Sequence, residues 1–459
     1  MGQPSDIVLV SCYEPGHQPQ GVASAVAFLR RAGFAPTCLD LAIEPLDGAA
    51  LERVAAARLV AISVPMHTAL ALGLRVAARV RAVNPAAHVC FFGLYAVLNR
   101  ELLRGVGDSV LAPDAEAQLV ALASGGAAAL EPPGRRADLV PDRAGLPALH
   151  RYARLAIAGE RRVAGHVETT RGCKHMCRHC PIPPVYDGRF FAVPADVVLD
   201  DVRWQVAAGA RHIDFGDPDF LNGPNHALRV ARALAAEHPG LTFSFTAKVE
   251  HIVQHADVVR ELAGLGALFV VSAVESLSDR VLAALAKGHS AADVARALAI
   301  VRDAGMSLRP TFVAFTPWTT LPDYLDLCRF IRDNQLEDEV DPVQLSIRLL
   351  VPPGSLLLAT DDIAPHLGPL DPQALTYRWA HPDPRMDQLE MDVSSVVEAA
   401  ADAGTPAAAT FARIHRLAAA TAGVDDGPEA HRPPRTPPPH LTEPWFCCAQ
   451  PTRRQLRAT

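Results

Sequence analysis

Glu168-Thr169-Thr170-Arg171-Gly172-Cys173-Lys174-His175-Met176-Cys177-Arg178-His179-Cys180 is the stretch that decides how this chain is read. Residues 166–170 favour a strand, so the CxxxCxxC loop leaves a strand end. A loop so spaced can wrap three corners of a cubane iron–sulfur cluster and leave one iron without a protein ligand. A cluster with four cysteine ligands only passes electrons, whereas an iron with a vacancy can chelate the amino and carboxylate groups of a small molecule. Zinc is the competing reading. Structural zinc takes four ligands, and His175 or His179 would have to supply the fourth from inside the same tight loop.

Working outward, residues 166–349 alternate β-rich and helical patterns. Candidate strands are 166–170, 212–216, 242–247, 268–273, 308–314 and 343–349, and six such units suit a partial six-unit barrel rather than a closed eight-unit one. Residues 1–125 form a separate β/α series, with strands expected at 7–11, 36–41, 59–64, 88–92 and 109–111 and amphipathic segments at 21–32, 49–57 and 69–83. Five units make a flavodoxin-like doubly wound domain. Ligands of such folds sit at the carboxyl ends of the strands, which points to the loop Cys12-Tyr13-Glu14-Pro15-Gly16-His17-Gln18-Pro19. Residues 126–160 have the composition of a connector. A barrel core is expected over 161–355, a helical extension over 356–425, and a proline-rich, solvated tail over 426–459 that contains Cys447 and Cys448.

The 459 residues suffice for two or three domains, each with its own core. No stretch is apolar enough to span a bilayer and the first residues lack a secretion signal, so a cytoplasmic protein with no membrane partner is expected. A net charge of −7 argues against a nucleic-acid surface as the main function. Nine cysteines, unevenly spaced, do not make a disulfide framework. Only three lysines, Lys174, Lys248 and Lys287, stand against forty arginines, and all three fall in the central third. Arginine-biased coding explains the scarcity. It leaves open why a compact ammonium was kept at these three places.

Residues 160–355 resemble the radical S-adenosylmethionine (SAM) superfamily, whose defining motif is this cysteine spacing at the end of the first strand of a partial (β/α)6 barrel. The resemblance implies a [4Fe–4S] cluster on Cys173, Cys177 and Cys180, bound SAM, one-electron reduction of the cluster, cleavage of a carbon–sulfur bond and release of a carbon radical. It further implies that the backbone of His179 meets the adenine and that Asp217, in Phe215-Gly216-Asp217-Pro218-Asp219-Phe220, holds the SAM amino group. Glu275, in Val274-Glu275-Ser276, would face the ribose. Lys248, at the end of the third strand, can meet the SAM carboxylate as a point charge. A plain turn with a helix cap is the competing reading of Asp217-Pro218-Asp219. The usual electron donor in this superfamily is a small flavodoxin or ferredoxin.

Residues 5–125 resemble the cobalamin-binding domain that precedes the barrel in one large subgroup. The DxHxxG loop whose histidine ligates cobalt is absent, which leaves two alternatives: cobalamin bound with no lower protein ligand, or a domain that no longer binds it. The tail Cys447-Cys448-Ala449-Gln450-Pro451, together with the opening loop, resembles the CUAEP/CCAEP-tail radical SAM proteins, with Gln450 in place of the usual glutamate. A related group with a cysteine-rich tail transfers the aminocarboxypropyl group of SAM to trivalent arsenic, an ion that thiolates bind well because both are soft. The expected function is therefore a radical SAM transferase that sends a radical or carbon fragment to a small-molecule substrate. That substrate would be a thiophilic metalloid or sulfur group presented by Cys447 and Cys448 as catalytic residues. The alternatives are a cobalamin-dependent radical methyltransferase and, from another class, an iron–sulfur redox sensor.

Overall fold

The computed structural model describes residues 6–127, 132–424, 437–443 and 453–459. Cys447 and Cys448 lie outside the described residues.

Five parallel strands, β1 (Ile7–Ser11), β2 (Thr37–Asp40), β3 (Leu59–Ser63), β4 (His88–Phe92) and β5 (Ser109–Val110), form the first sheet in the order β2-β1-β3-β4-β5. β1 and β3 are buried along their whole length, as central strands of a sheet covered on both faces must be. Separate apolar clusters fill the two faces: the helix His67–Val83 packs in one, and the helix Gln20–Arg31 in the other. The order is that of the expected flavodoxin-like domain.

The second sheet contains β6 (Arg154–Ile157), β7 (Glu160–Val167), β10 (His212–Phe215), β11 (Thr242–Thr246), β12 (Ala267–Glu275) and β13 (Ser307–Phe312). Between β7 and β10 a small ribbon pairs β8 (Thr170–Gly172) with β9 (Phe190–Ala192). β7, β10, β11, β12 and β13 are parallel neighbours and make the partial barrel. The strand expected at 343–349 does not form. Pro342 has no N–H to give a ladder, Pro342–Leu345 winds into a 3₁₀ turn, and the Gln344 side chain accepts the Phe312 N–H instead. A single bridge, Phe315 to Arg348, marks the sixth position.

Residues 126–160 are more than a connector. β6 and β7 make an antiparallel hairpin across Ala158-Gly159, both at positive φ, as a two-residue primed turn requires. Arg143 in the same stretch is 1% exposed and grips Asp201 with two hydrogen bonds of 2.7 and 2.8 Å.

A second ribbon, β14 (Leu367–Asp371) with β15 (Thr376–Trp379), leads to helices Pro384–Ala403 and Ala407–Ala422, whose Met386, Leu389, Phe411 and Ile414 join the barrel core. The described parts of the tail dock on the domains, half-buried for the most part. β16 (His440–Leu441) adds to the sheet edge beside β6, and the Tyr13 hydroxyl donates to Glu443 at 3.1 Å. The helix Arg453–Ala458 returns to the first domain, where the Leu46 N–H donates to the Ala458 carbonyl at 3.0 Å. No helix among the described residues is long and apolar enough to cross a membrane.

Candidate functional site

The ribbon β8–β9 closes the base of the thiol loop. Gly172 makes the turn at positive φ, where a Cβ would stand 2.5 Å from the Arg189 carbonyl oxygen, so only glycine fits. Hydrogen bonds then pin the loop over the barrel mouth: Arg178 N–H to the Leu285 carbonyl at 2.9 Å, Lys174 Nζ to the Asn222 carbonyl at 3.3 Å, and Cys180 N–H to the Cys177 carbonyl at 3.2 Å. Cys173 and Cys177 are buried and Cys180 half-buried. Three thiols on one short loop, with no fourth cysteine in it, suit a cubane cluster that keeps one iron open. The zinc alternative also lacks its fourth ligand, because His179 turns to Glu275 and His175 to Asp219. Burial pushes the Cys180 thiol up to about 12 and raises that of Cys173, so iron coordination is what would make them thiolates.

Glu275 ends β12 at a bulge and sits at positive φ, a left-handed backbone that a non-glycine residue adopts at a cost. Its Oε1 takes both His179 Nε2 at 3.1 Å and Lys287 Nζ at 3.3 Å, and among the described residues no hydrogen bond falls on Oε2. Burial alone would raise the carboxyl; Lys287 and His179 outweigh it and hold it at about 2. Lys248 Nζ reaches Glu250 Oε2 at 3.1 Å. Gly288 brings the chain after β12 against this pair, for a Cβ there would lie 2.8 Å from Glu250 Oε2. The three lysines of the chain therefore all stand at this one site. Lys287, downstream of Glu275 in the same stretch of sequence, is brought onto its carboxylate by the segment that follows β12.

Asp217 is placed differently from the sequence expectation. Its carboxylate accepts from the Thr169 N–H at 3.1 Å, the Thr169 hydroxyl at 2.9 Å and the Thr170 hydroxyl, and burial raises it to about 6. Both oxygens are engaged in joining the end of β7 to the end of β10. Asp217 thus positions the strand that feeds the thiol loop, with its carboxylate already held by two threonines. Asp219, two residues on, lies against His175 and His251.

A cavity of about 250 Å³ lies between the two domains. Glu14, Gly21 and Ser63 line it from the first domain, and Glu168, Gly172 and Gly216 from the barrel. Burial raises Glu168 to about 7, with Asp217 adding to it, and lifts Glu14 well above the usual carboxylate range, with Glu168 adding to it. No histidine, cysteine or methionine is among the described lining residues. His17 is instead stacked on His166 of the barrel, centroids 3.5 Å apart. Gly93 owes its lack of a side chain to its neighbour, as a Cβ would meet the Val64 carbonyl at 3.0 Å.

Residues 167–330 match the sequence profile of the Radical SAM superfamily. Among curated proteins, the chain is 27% identical over 194 residues to tRNA-2-methylthio-N(6)-dimethylallyladenosine synthase of Chlorobium luteolum, covering 39% of this chain and 43% of that protein. It is 24% identical over 188 residues to ribosomal protein uS12 methylthiotransferase RimO of Parabacteroides distasonis, covering 38% and 42%. The match thus spans about two fifths of these relatives' length. Among solved structures, the fold is similar to that of the cobalamin-dependent SAM radical enzyme OxsB with aqua-cobalamin and SAM bound (TM-score 0.66, 14% identity, 86% of this chain and 66% of that one). It is also similar to the radical SAM methyltransferase TsrM of Kitasatospora setae (TM-score 0.53, 18% identity, 71% and 70%). With the superfamily profile beginning where β7 ends and the thiol loop hanging from that strand, residues 167–330 form a Radical SAM domain, and a [4Fe–4S] cluster and SAM are the cofactors that go with it.

Proposed function

We propose that this enzyme is a transferase working across the inter-domain cavity, with a corrin carried by the first domain and a small-molecule substrate between the corrin and the barrel. The observation that carries this reading is that the carboxyl ends of both sheets open on one cavity, and that Gly172, the residue before the first cluster cysteine, lines it. The structural likeness to OxsB supports a corrin. The first-domain wall includes Gly21, Ser24 and Ser63, and no histidine is among the described lining residues, so the corrin would be held with no histidine as lower ligand.

A [4Fe–4S] cluster held by Cys173, Cys177 and Cys180 would supply the electron that breaks a carbon–sulfur bond of SAM. Glu275 Oε2 would accept from the ribose hydroxyls, with Lys287 keeping that carboxylate ionised. The backbone of His179 would meet the adenine. Lys248 would exchange Glu250 for the SAM carboxylate. Asp217 fixes the strand end. The electron comes from an acidic flavodoxin or ferredoxin docking at Lys174 and Met176, both exposed on the loop.

A second reading is favoured by the anchoring of Glu443 to Tyr13, which ties the chain four residues before Cys447 to the opening loop of the first domain. In it, Cys447 and Cys448 bring a thiophilic metalloid or sulfur group to the cavity.

Anaerobic reconstitution with iron and sulfide, reduction and addition of SAM test the core of the proposal; 5′-deoxyadenosine, methylthioadenosine or S-adenosylhomocysteine is expected, and SAM left intact overturns it. Gel filtration after incubation with hydroxocobalamin tests the corrin, whose absorbance should travel with the protein. Repeating the turnover with Cys447→Ser/Cys448→Ser protein and trivalent arsenic separates the two readings, since unchanged turnover and arsenic binding remove the tail from the reaction.

A further inference from the structure

Beneath the thiol loop, three side chains from three parts of the chain aim ligand atoms at one point. His175 comes from the loop between Cys173 and Cys177, Asp219 from the segment after β10, and His251 from the helix Val249–Gln254 after β11. His175 Nε2 lies 3.5 Å from Asp219 Oδ2, His251 Nδ1 lies 2.6 Å from the same oxygen, and the three atoms all fall within 4.8 Å of one another. Asp219 and His251 are buried and His175 largely so, and the three atoms face one another from three separate chain segments. Two imidazole nitrogens and a carboxylate oxygen converging on one buried point are a donor set that a single cation can share.

We propose that the partner is a divalent transition-metal ion, held by His175 Nε2, Asp219 Oδ2 and His251 Nδ1 and separate from the iron–sulfur cluster. Two imidazoles and a carboxylate suit zinc, iron(II) or cobalt(II), in contrast to the soft thiols a few residues away. Ligands at about 2.0–2.2 Å from a tetrahedral ion stand roughly 3.3–3.6 Å apart. The His175–Asp219 separation meets this, and the closer His251–Asp219 contact needs to open by less than about 1 Å. The outer shell fits as well, since such partners orient a metal's ligands. Asp219 Oδ1 accepts the Leu221 N–H at 3.1 Å, which fixes the carboxylate. His175 Nδ1 faces Glu250 Oε2 at 3.7 Å. The ion would tie the cysteine loop to the ends of two barrel strands, and its open coordination position would take water or a small ligand.

The probe is Zn²⁺. In cluster-reconstituted full-length protein dialysed after zinc loading, elemental analysis should find about one equivalent of zinc beside the iron. His251→Gln and His175→Gln should each lower the retained zinc at least about fivefold while the protein keeps its folded circular dichroism. Full-length protein with Cys173, Cys177, Cys180, Cys447 and Cys448 changed to serine removes competing thiolates; it should still bind zinc and show a rise in Tm, which His251→Gln abolishes. Absence of zinc from both the reconstituted and the serine-substituted protein overturns the proposal, as does a full equivalent retained by both glutamine variants. Metal content is read without turnover, so failure here is distinguishable from failure of the proposed transferase.

Discussion

Lys287 and Glu275 form a buried ion pair, Nζ to Oε1 at 3.3 Å, on the same oxygen that His179 reaches. Removing one partner of such a pair strands the other, so Lys287→Met should cost about 3–5 kcal/mol in denaturant unfolding. The folded carboxyl lies at about 2, below its ordinary value, so the pair's stabilisation is complete above about pH 4.5 and is lost as pH falls toward 2. The stability gap between wild type and Lys287→Met should therefore be constant at neutral pH and shrink in acid. A gap that widens in acid would contradict the assignment.

Arg143 joins the stretch before the barrel to helix Ala195–Ala207 through Asp201 and to the barrel through the His166 carbonyl at 2.9 Å. Arg143→Lys keeps the charge but loses the fork, and Arg143→Met loses both. Both should unfold at lower denaturant, Met by about 3–5 kcal/mol and Lys by less. Equal stability of all three would show that the pair holds nothing together.

Gly216→Ala would drive a Cβ into the imidazole of His166. The ring must leave its place, and with it the stack on His17 that joins the domains. A loss of about 1–3 kcal/mol is expected, with faster proteolysis between the domains. Unchanged cleavage would mean that the stack does not hold them.

Glu168 is raised to about 7 by burial, so between about pH 4.5 and 7 the folded state holds a proton that the unfolded state has released. Stability should fall as pH rises through this window and level off above it. Glu168→Gln removes the titration and should flatten that part of the profile in thermal melts from about pH 4 to 8. A profile with the wild-type slope would assign the proton elsewhere, with Glu14 the nearest candidate.

The thiol loop is legible in sequence because three cysteines at fixed spacing carry their geometry with them. The five-strand domain is legible because its strands are apolar runs separated by helical periods. The group formed by His175, Asp219 and His251 is not, since each residue alone has an ordinary reading and only parallel strand ends bring them together. Asp217 shows the reverse: its position at a strand end is readable, but the threonines that occupy it are visible only after folding. Ala158-Gly159 lacks the Asn or Asp that usually announces a primed turn, so β6 hides in a stretch that reads as connector. At 343–349 the apolar pattern suggests a strand, and Pro342 overrides it.

The gathering of Lys174, Lys248 and Lys287 at one site has a practical consequence. In most proteins an amine-directed reagent decorates the whole surface. Here, apart from the chain's own amino terminus, the accessible target is Lys174, exposed beside the cluster, while Lys248 and Lys287 are buried. A fluorophore or crosslinker coupled to lysine would attach within the cysteine loop itself, giving a reporter of loop movement without any engineered residue.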